Sequence, residues 1–446
     1  MISRRWWTPL ALGGYAAATA VWPYAATLPL TLGAAGWLFG APHRWLLAFL
    51  CAAIVLPPLP IELGDSGPHP SILIAAAGGL IGLSQVRQWR RPSGKPALPL
   101  AAYWAVMLLS TGLAALYSGP VIAAGSFARA LLFGISVYVY WYASAFGVDA
   151  FRWLRVIYGA ASAAAAIACL DFYYQLPPMA GFAPQYVWLD SGVFRRAQGF
   201  FYEASTLGNF CVFFLVMIAV ALVRRVPLPR WWLAAGGVLF GAALMFSYSR
   251  GSIVNLAVAL VALAYLRGRV GLPARAGVVL AAAGVLLYQL RPEFVELYFG
   301  RLSRSLLFFS ESPETILSGR VYGWQTLFRY AAEQPQHLIF GIGYKTLAYT
   351  SFFGDATVAD NSYLSALLEM GIAGLAALIA LNVTILRAAW RAAHAADSQA
   401  AFFGTWMFCF WAGESVQMLS GDLLTYWRVL PLYFWALAIA ESSDRK

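Results

Sequence analysis

The chain has 446 residues, 61% hydrophobic and 11% charged, with a mean hydropathy of +0.68 and a net charge of +11. Soluble globular proteins carry about 45 to 50% apolar and roughly 25% charged residues, so these values exclude a soluble protein and indicate a polytopic membrane protein. The positive balance does not indicate a nucleic-acid partner, since no basic tail or DNA-reading motif is present. Membrane topology and contact with the anionic heads of a lipid bilayer account for it.

A membrane span needs about 20 mostly apolar residues. Fourteen stretches fit: near 7–22, 25–40, 44–60, 71–88, 98–117, 122–146, 151–175, 203–223, 230–247, 251–267, 273–290, 360–387, 398–418 and 423–441. The first two are short enough to form one hairpin that does not fully cross. The expected fold is therefore an all-α integral membrane protein of 12 to 14 spans with one long polar insertion. The expected divisions are 1–175 (scaffold), 176–290 (spans with arginine motifs), 291–359 (the loop) and 360–446 (C-terminal spans).

With Arg4 and Arg5 inside as an anchor, alternate junctions collect 19 of the 30 basic residues, as the positive-inside rule requires. Both termini are then cytoplasmic. The other eleven are Arg129, Arg195, Arg196, Arg250, Arg291, Arg301, Arg304, Arg320, Arg329, Lys345 and Arg428. Topology does not require these, because they fall within a span or on the outer side. Cys51, Cys169, Cys211 and Cys409 lie in apolar stretches and give neither a disulfide framework nor metal spacing.

In chain order, the first seven stretches are scaffold, with Arg129 the exception. An arginine at that depth costs about 2.5 to 3.5 kcal/mol unless it snorkels or faces water. An outer loop over 176–202 ends in Arg195-Arg196-Ala197-Gln198-Gly199-Phe200 and leads to Glu203. The tight turn Ser247-Tyr248-Ser249-Arg250 puts Arg250 at the membrane boundary beside the amides opening the next helix, which suits phosphate. In the long loop, Ser318 can cap a helix over 319–333 carrying Arg320 and Trp324. Gly341-Ile342-Gly343 makes a turn and lacks the strand context of a dinucleotide fingerprint. His337, beside Pro335, is expected to be structural, while Glu414, Gln417 and Asp422 are either pocket lining or solvated ends.

Arginine forks hold two phosphate oxygens at once and keep their charge. Arg195 or Arg196, Arg250 and Arg320 converging on a pyrophosphate would bind it and stabilise its departure. A carboxylate, Glu203 or Asp360, would then take the proton of an attacking hydroxyl.

Arg196-x-x-Gly199-Phe200, Ser249-Arg250-Gly251, Gly319-Arg320 with Trp324, Gly341-x-Gly343 and the block Asn361-x-Tyr363-Leu364 to Glu369-x-Gly371-x-x-Gly374 resemble the bacterial O-antigen ligase and polysaccharide polymerase superfamily. The resemblance covers roughly residues 190 to 375. It implies a GT-C-like fold in the bacterial inner membrane and a periplasmic active site with an undecaprenyl-pyrophosphate-linked glycan as donor. It also implies inverting transfer to a hydroxyl, with no metal and no nucleotide sugar or other cofactor. Chain-length regulator and flippase proteins are the expected protein partners. Catalytic candidates are Asp360, Glu203, Arg250 and Arg320. Candidates for pyrophosphate or glycan contact are Arg129, Arg195, Arg196, Arg250, Arg320, Tyr344, Asn361 and Tyr363.

O-antigen ligases usually present a histidine before Asn-x-Tyr-Leu, whereas this chain has Asp360. That departure favours a Wzy-type polymerase, which joins lipid-linked repeat units, over a ligase acting on a lipid A core. A polysaccharide or lipid transporter is the reading from another class. It predicts repeated halves or paired broken helices near the midplane, whereas the polar residues here gather on one face.

Overall fold

The computed structural model describes residues 36–37, 40–41, 43–59, 69–89, 94–146, 149–178, 183–189, 192–224, 226–268, 320–350, 352 and 359–442. The stretches 7–22 and 273–290, nearly all of 25–40, and the loop as far as Gly319 lie outside them. Thirteen α-helices are present among the described residues. They are α1 (Arg44–Val55), α2 (Pro70–Ser84), α3 (Ala97–Ser118), α4 (Pro120–Ala145), α5 (Ala150–Tyr174), α6 (Ala204–Arg224) and α7 (Arg230–Ser247). The remainder are α8 (Arg250–Arg267), α9 (Arg320–Glu333), α10 (Pro335–Phe340), α11 (Ser362–Ala393), α12 (Ser398–Gln417) and α13 (Leu430–Ala440).

Seven of these, α3 to α8 and α11, are long and apolar enough to cross a membrane. That is fewer than the 12 to 14 expected. The shortfall has a physical cause as well as the undescribed stretches. Helix α13 has 11 residues, about 16 Å at 1.5 Å per residue against a hydrocarbon core of about 30 Å. All of its residues are buried within the bundle, so its apolarity reflects protein packing and not lipid contact. Helices α1 and α2 are likewise short, with 12 and 15 residues.

The loop ahead of α6 is also more ordered than a plain connection. Strands β1 (Tyr186–Leu189) and β2 (Gly192–Arg195) pair antiparallel, with Tyr186 opposite Arg195.

Helix α12 is central, packing on α6, α8, α11 and α13. In lipid, helices gain little from apolar burial alone, so close contact and interhelical hydrogen bonds decide their association. Both are present. Gly404 of α12 backs onto the Ala392–Ala393 backbone of α11, and Gly413 onto Asn255 of α8. Phe213 stacks among Trp406, Phe410 and Tyr433 with centroids 4.3 to 5.0 Å away. Asn209 and Asn255 donate to Glu414 Oε2 at 2.5 and 2.9 Å, tying three helices together.

Candidate active site

A cavity of about 460 Å³ opens between the start of α6, the residues ahead of α11 and the 420–428 loop. Its described lining holds four cations (Arg129, Arg320, Lys345, Arg428) and four carboxylates (Glu203, Asp360, Glu369, Asp422). The charges balance, so the cavity's chemistry depends on which groups neutralise each other.

The floor is built by a backbone crossing. Helix α11 breaks at Gly371, whose φ of 71° and ψ of −169° are accessible essentially only to glycine. The break leaves helix carbonyls without partners. The amides of Ile342 and Gly343 take those of Leu368 and Glu369 at 3.1 and 2.9 Å. The two chains approach so closely that a Cβ on Gly371 would lie 2.2 Å from the Ile339 carbonyl oxygen, and one on Gly341 2.4 Å from that of Glu369. Gly341-x-Gly343 and Gly371 are thus two halves of one contact, which explains the GxG without a nucleotide. Ser110 Oγ of α3 accepts from the Tyr344 amide at 3.1 Å, and Ser126 Oγ of α4 donates to its carbonyl at 2.5 Å.

This pinning aims Tyr344, Lys345 and Glu369 into the cavity. Lys345 has a left-handed backbone, with φ of 58°, and its ammonium pairs with Asp422. Burial alone would lower the lysine pKa, but the carboxylates of Asp422 and Glu369 more than offset this and push it up. Lys345 is therefore a charged member of an ion-pair cluster. Burial pushes the Tyr344 phenol up, keeping it neutral.

On the opposite wall Arg320 opens α9, and its Nε donates to Asp360 Oδ2 at 3.1 Å. Trp324, one turn on, donates from its indole to the Ala359 carbonyl at 2.6 Å, docking the helix on the same two residues. The helix ends at Glu333, as the sequence predicts, and its expected start at Gly319 with the Ser318 cap lies outside the described residues. Asp360 adopts a left-handed φ of 43°. Its partner Arg320 remains about a third exposed, 29%, so four of its donors are not engaged by Asp360.

Glu203 sits just ahead of α6, where Ser205 Oγ donates to its Oε2 at 2.7 Å. Burial pushes its carboxyl above the ordinary range. The Ser205 hydrogen bond partly opposes this, and the nearby negative charge of Asp360 adds to it.

Arg428 is buried, and its donors go to carbonyls: Ala53 at 2.7 Å, Leu56 at 2.8 Å, and Phe200. Two of these belong to the C-terminal end of α1, where a helix leaves acceptors without partners and favours a cation. Arg428 is therefore a helix cap in the cavity wall. Arg129 turns to the cavity from α4, with its guanidinium 5.9 Å from the Tyr349 ring centre.

The structure brings together Glu203, Asp360, Arg320, Tyr344 and Arg129. The other five predicted residues are not among those lining the cavity. Arg195 is buried against the Asp171 carboxylate, whose second oxygen accepts the amides of Gln198 and Gly199 at 3.1 and 3.0 Å. This pair holds the loop in shape and presents no fork to a ligand. Arg196 Nε donates to the Ser247 carbonyl at 2.8 Å, joining that loop to the end of α7. Asn361 caps α11, accepting from Tyr363 and Leu364 amides at 3.0 and 3.1 Å. Tyr363 donates to the Ser415 carbonyl at 2.9 Å, fastening α11 to α12. Arg250 is the first residue of α8, after a turn in which Tyr248 is left-handed and Ser249 is the cap. A Cβ on the next residue, Gly251, would sit 3.0 Å from Oγ of Ser420, a cavity-lining side chain. The expected three-arginine convergence is thus represented in the cavity by Arg320, and Arg129 lines the same cavity.

His337 is structural, as expected, hydrogen-bonded to and stacked on Tyr330 and packed against Phe352. Sequence reasoning missed Glu369, Lys345, Arg428 and His69 as cavity residues. The two cations carried a signal, since topology does not call for them. His69 had none.

Residues 235–379 match the model of a family described as O-antigen ligase, Wzy_C. No curated protein matches the chain. The matched segment contains Arg250, Arg320, Tyr344, Asp360 and both halves of the glycine crossing. The match covers less than half of the chain and supports a likeness to the superfamily of O-antigen ligases and polysaccharide polymerases.

Proposed function

We propose that the protein is a membrane glycosyltransferase that moves a glycan from an undecaprenyl-pyrophosphate donor to a hydroxyl acceptor in this cavity. One observation carries the reading: a half-exposed Arg320–Asp360 pair and a half-buried Glu203 line a single polar cavity. In the inverting reaction the acceptor oxygen attacks the anomeric carbon, Glu203 takes its proton, and the bond to the pyrophosphate oxygen breaks. The leaving diphosphate carries the charge away, stabilised by Arg320 and Arg129. A base poised above the ordinary carboxylate range suits proton abstraction near neutral pH, and burial gives Glu203 that property. Asp360 orients Arg320. Glu369, Asp422 and Lys345 form a charged, hydrogen-bonding face suited to sugar hydroxyls.

The acceptor is a lipid-linked repeat unit, which makes the enzyme a polymerase at the periplasmic face, beside chain-length regulator and flippase proteins. The test incubates purified protein with undecaprenyl-pyrophosphate repeat units alone. Ladders of longer glycan support the polymerase. Inertness until a lipid A core is supplied identifies a ligase, and inertness under both conditions overturns glycosyl transfer.

A further inference from the structure

A second hollow, of about 640 Å³, opens between the start of α3, the last turns of α11 and the middle of α12. It lies at the end of the bundle remote from the polar cavity. Ser110, which holds Tyr344 there, is 13 residues beyond Ala97 in α3, about 20 Å at 1.5 Å per residue. The hollow is lined by Lys95, Arg387, Arg391, Trp390 and the apolar Leu98 and Phe408, and no Asp or Glu is among its described lining residues. Glu441, which packs beside Gly94, accepts the Tyr140 hydroxyl at 2.5 Å.

Topology alone accounts for cations at such an end, but it would disperse them in water. Here Arg387 and Arg391 are four residues apart on one helix face, where like charges repel, and Lys95 approaches from the turn ahead of α3. An anion among the three relieves that repulsion. The hollow also has apolar lining: Leu98, at the start of α3, is 77% exposed. Trp390 is held by Phe408 and Tyr265, with ring centres 5.1 and 6.0 Å away. Basic pockets between membrane helices with an apolar continuation suit a phosphate that carries acyl chains.

We infer that this hollow binds an anionic phospholipid, its phosphate among Lys95, Arg387 and Arg391 and its chains along Leu98. The site is independent of the transfer reaction.

The test measures lipid retained by the full-length protein in neutral detergent, by native mass spectrometry, after adding phosphatidylglycerol or phosphatidylcholine. Phosphatidylglycerol is expected to be retained about tenfold better, and the double variant Arg387→Gln/Arg391→Gln to lose that preference, since each basic residue near an anionic headgroup contributes about 1 kcal/mol. Arg387→Lys/Arg391→Lys should keep the preference, which separates lost charge from lost folding. Arg152→Gln/Arg155→Gln, at a different basic rim, should leave retention unchanged. Equal retention of the two lipids overturns the proposal, as does an equal loss in the rim variant. Displacement by millimolar inorganic phosphate overturns it in favour of a free-anion site.

Discussion

Nε of Arg320 lies 3.1 Å from Oδ2 of Asp360, whose backbone turns left-handed immediately before α11. The pair connects a helix of the long insertion to the start of a spanning helix, so the insertion contributes directly to the cavity wall.

Arg320→Ala is expected to reduce glycan extension by about 10² to 10³-fold, the usual loss when one donor to a developing anion is removed. Arg320→Lys should recover little, because an ammonium cannot offer the planar fork. Extension by purified protein, normalised to protein amount, checks both. Full activity in the lysine variant would remove the bidentate role.

Glu203→Gln should lower turnover by about 10² to 10⁴-fold, the range for general-base catalysis. The wild-type rate should fall as pH drops through the Glu203 pKa, because the base must be ionised and burial raises that pKa above the ordinary carboxylate range. The variant's residual rate should lack this acid limb. A pH profile unchanged by the substitution would transfer the base role to Asp360, for which Asp360→Asn is the matching test.

His69 gives an acid sensitivity to folding. Burial chiefly, aided by the Arg428 charge and opposed by the Leu56 hydrogen bond, lowers its pKa to about 4. Its Nδ1 caps α2 by accepting from the Ser71 amide, and Nε2 donates to the Leu56 carbonyl at 2.9 Å, so the neutral ring fits the site. The unfolded chain binds the proton at about 6.5, so stability is fully present above that value. It falls by up to about 3 kcal/mol as pH drops toward 4. Thermal unfolding in detergent should show this slope in wild type and a shallower one in His69→Gln.

Gly371→Ala should lower the melting temperature and the yield. The backbone conformation alone costs about 1 to 3 kcal/mol without glycine, and the new Cβ would meet the Ile339 carbonyl at 2.2 Å. Gly237, which has open space around its Cβ position, is the control, and Gly237→Ala should be tolerated.

Arg195→Ala should lose folded protein where Arg320→Ala does not. Removing one partner of a buried ion pair costs about 3 to 5 kcal/mol, whereas the Arg320 pair is partly exposed. Membrane-fraction abundance distinguishes the two. Equal abundance with equal loss of extension would return Arg195 to the binding site.

Composition and hydropathy by themselves determined that this is a helical membrane protein, because apolar runs of span length have no other stable home. The order of short motifs gave the likeness to the O-antigen ligase family, and the cations that topology does not require include Arg129, Arg320, Lys345 and Arg428, which all line the cavity. Only the tertiary structure decided which charges meet. Asp171 claims Arg195, the Ser247 carbonyl engages Arg196, and the end of α1 claims Arg428. Each pairing joins residues far apart in the chain, so spacing could not reveal it. Motif residues divided in the same way. Asn361 and Tyr363 became a cap and a strut, while Glu369 and Lys345 entered the cavity. A glycine crossing between α11 and the 341–343 turn made that division. A side chain's neighbours depend on where two backbones touch, and one-dimensional spacing does not carry that information.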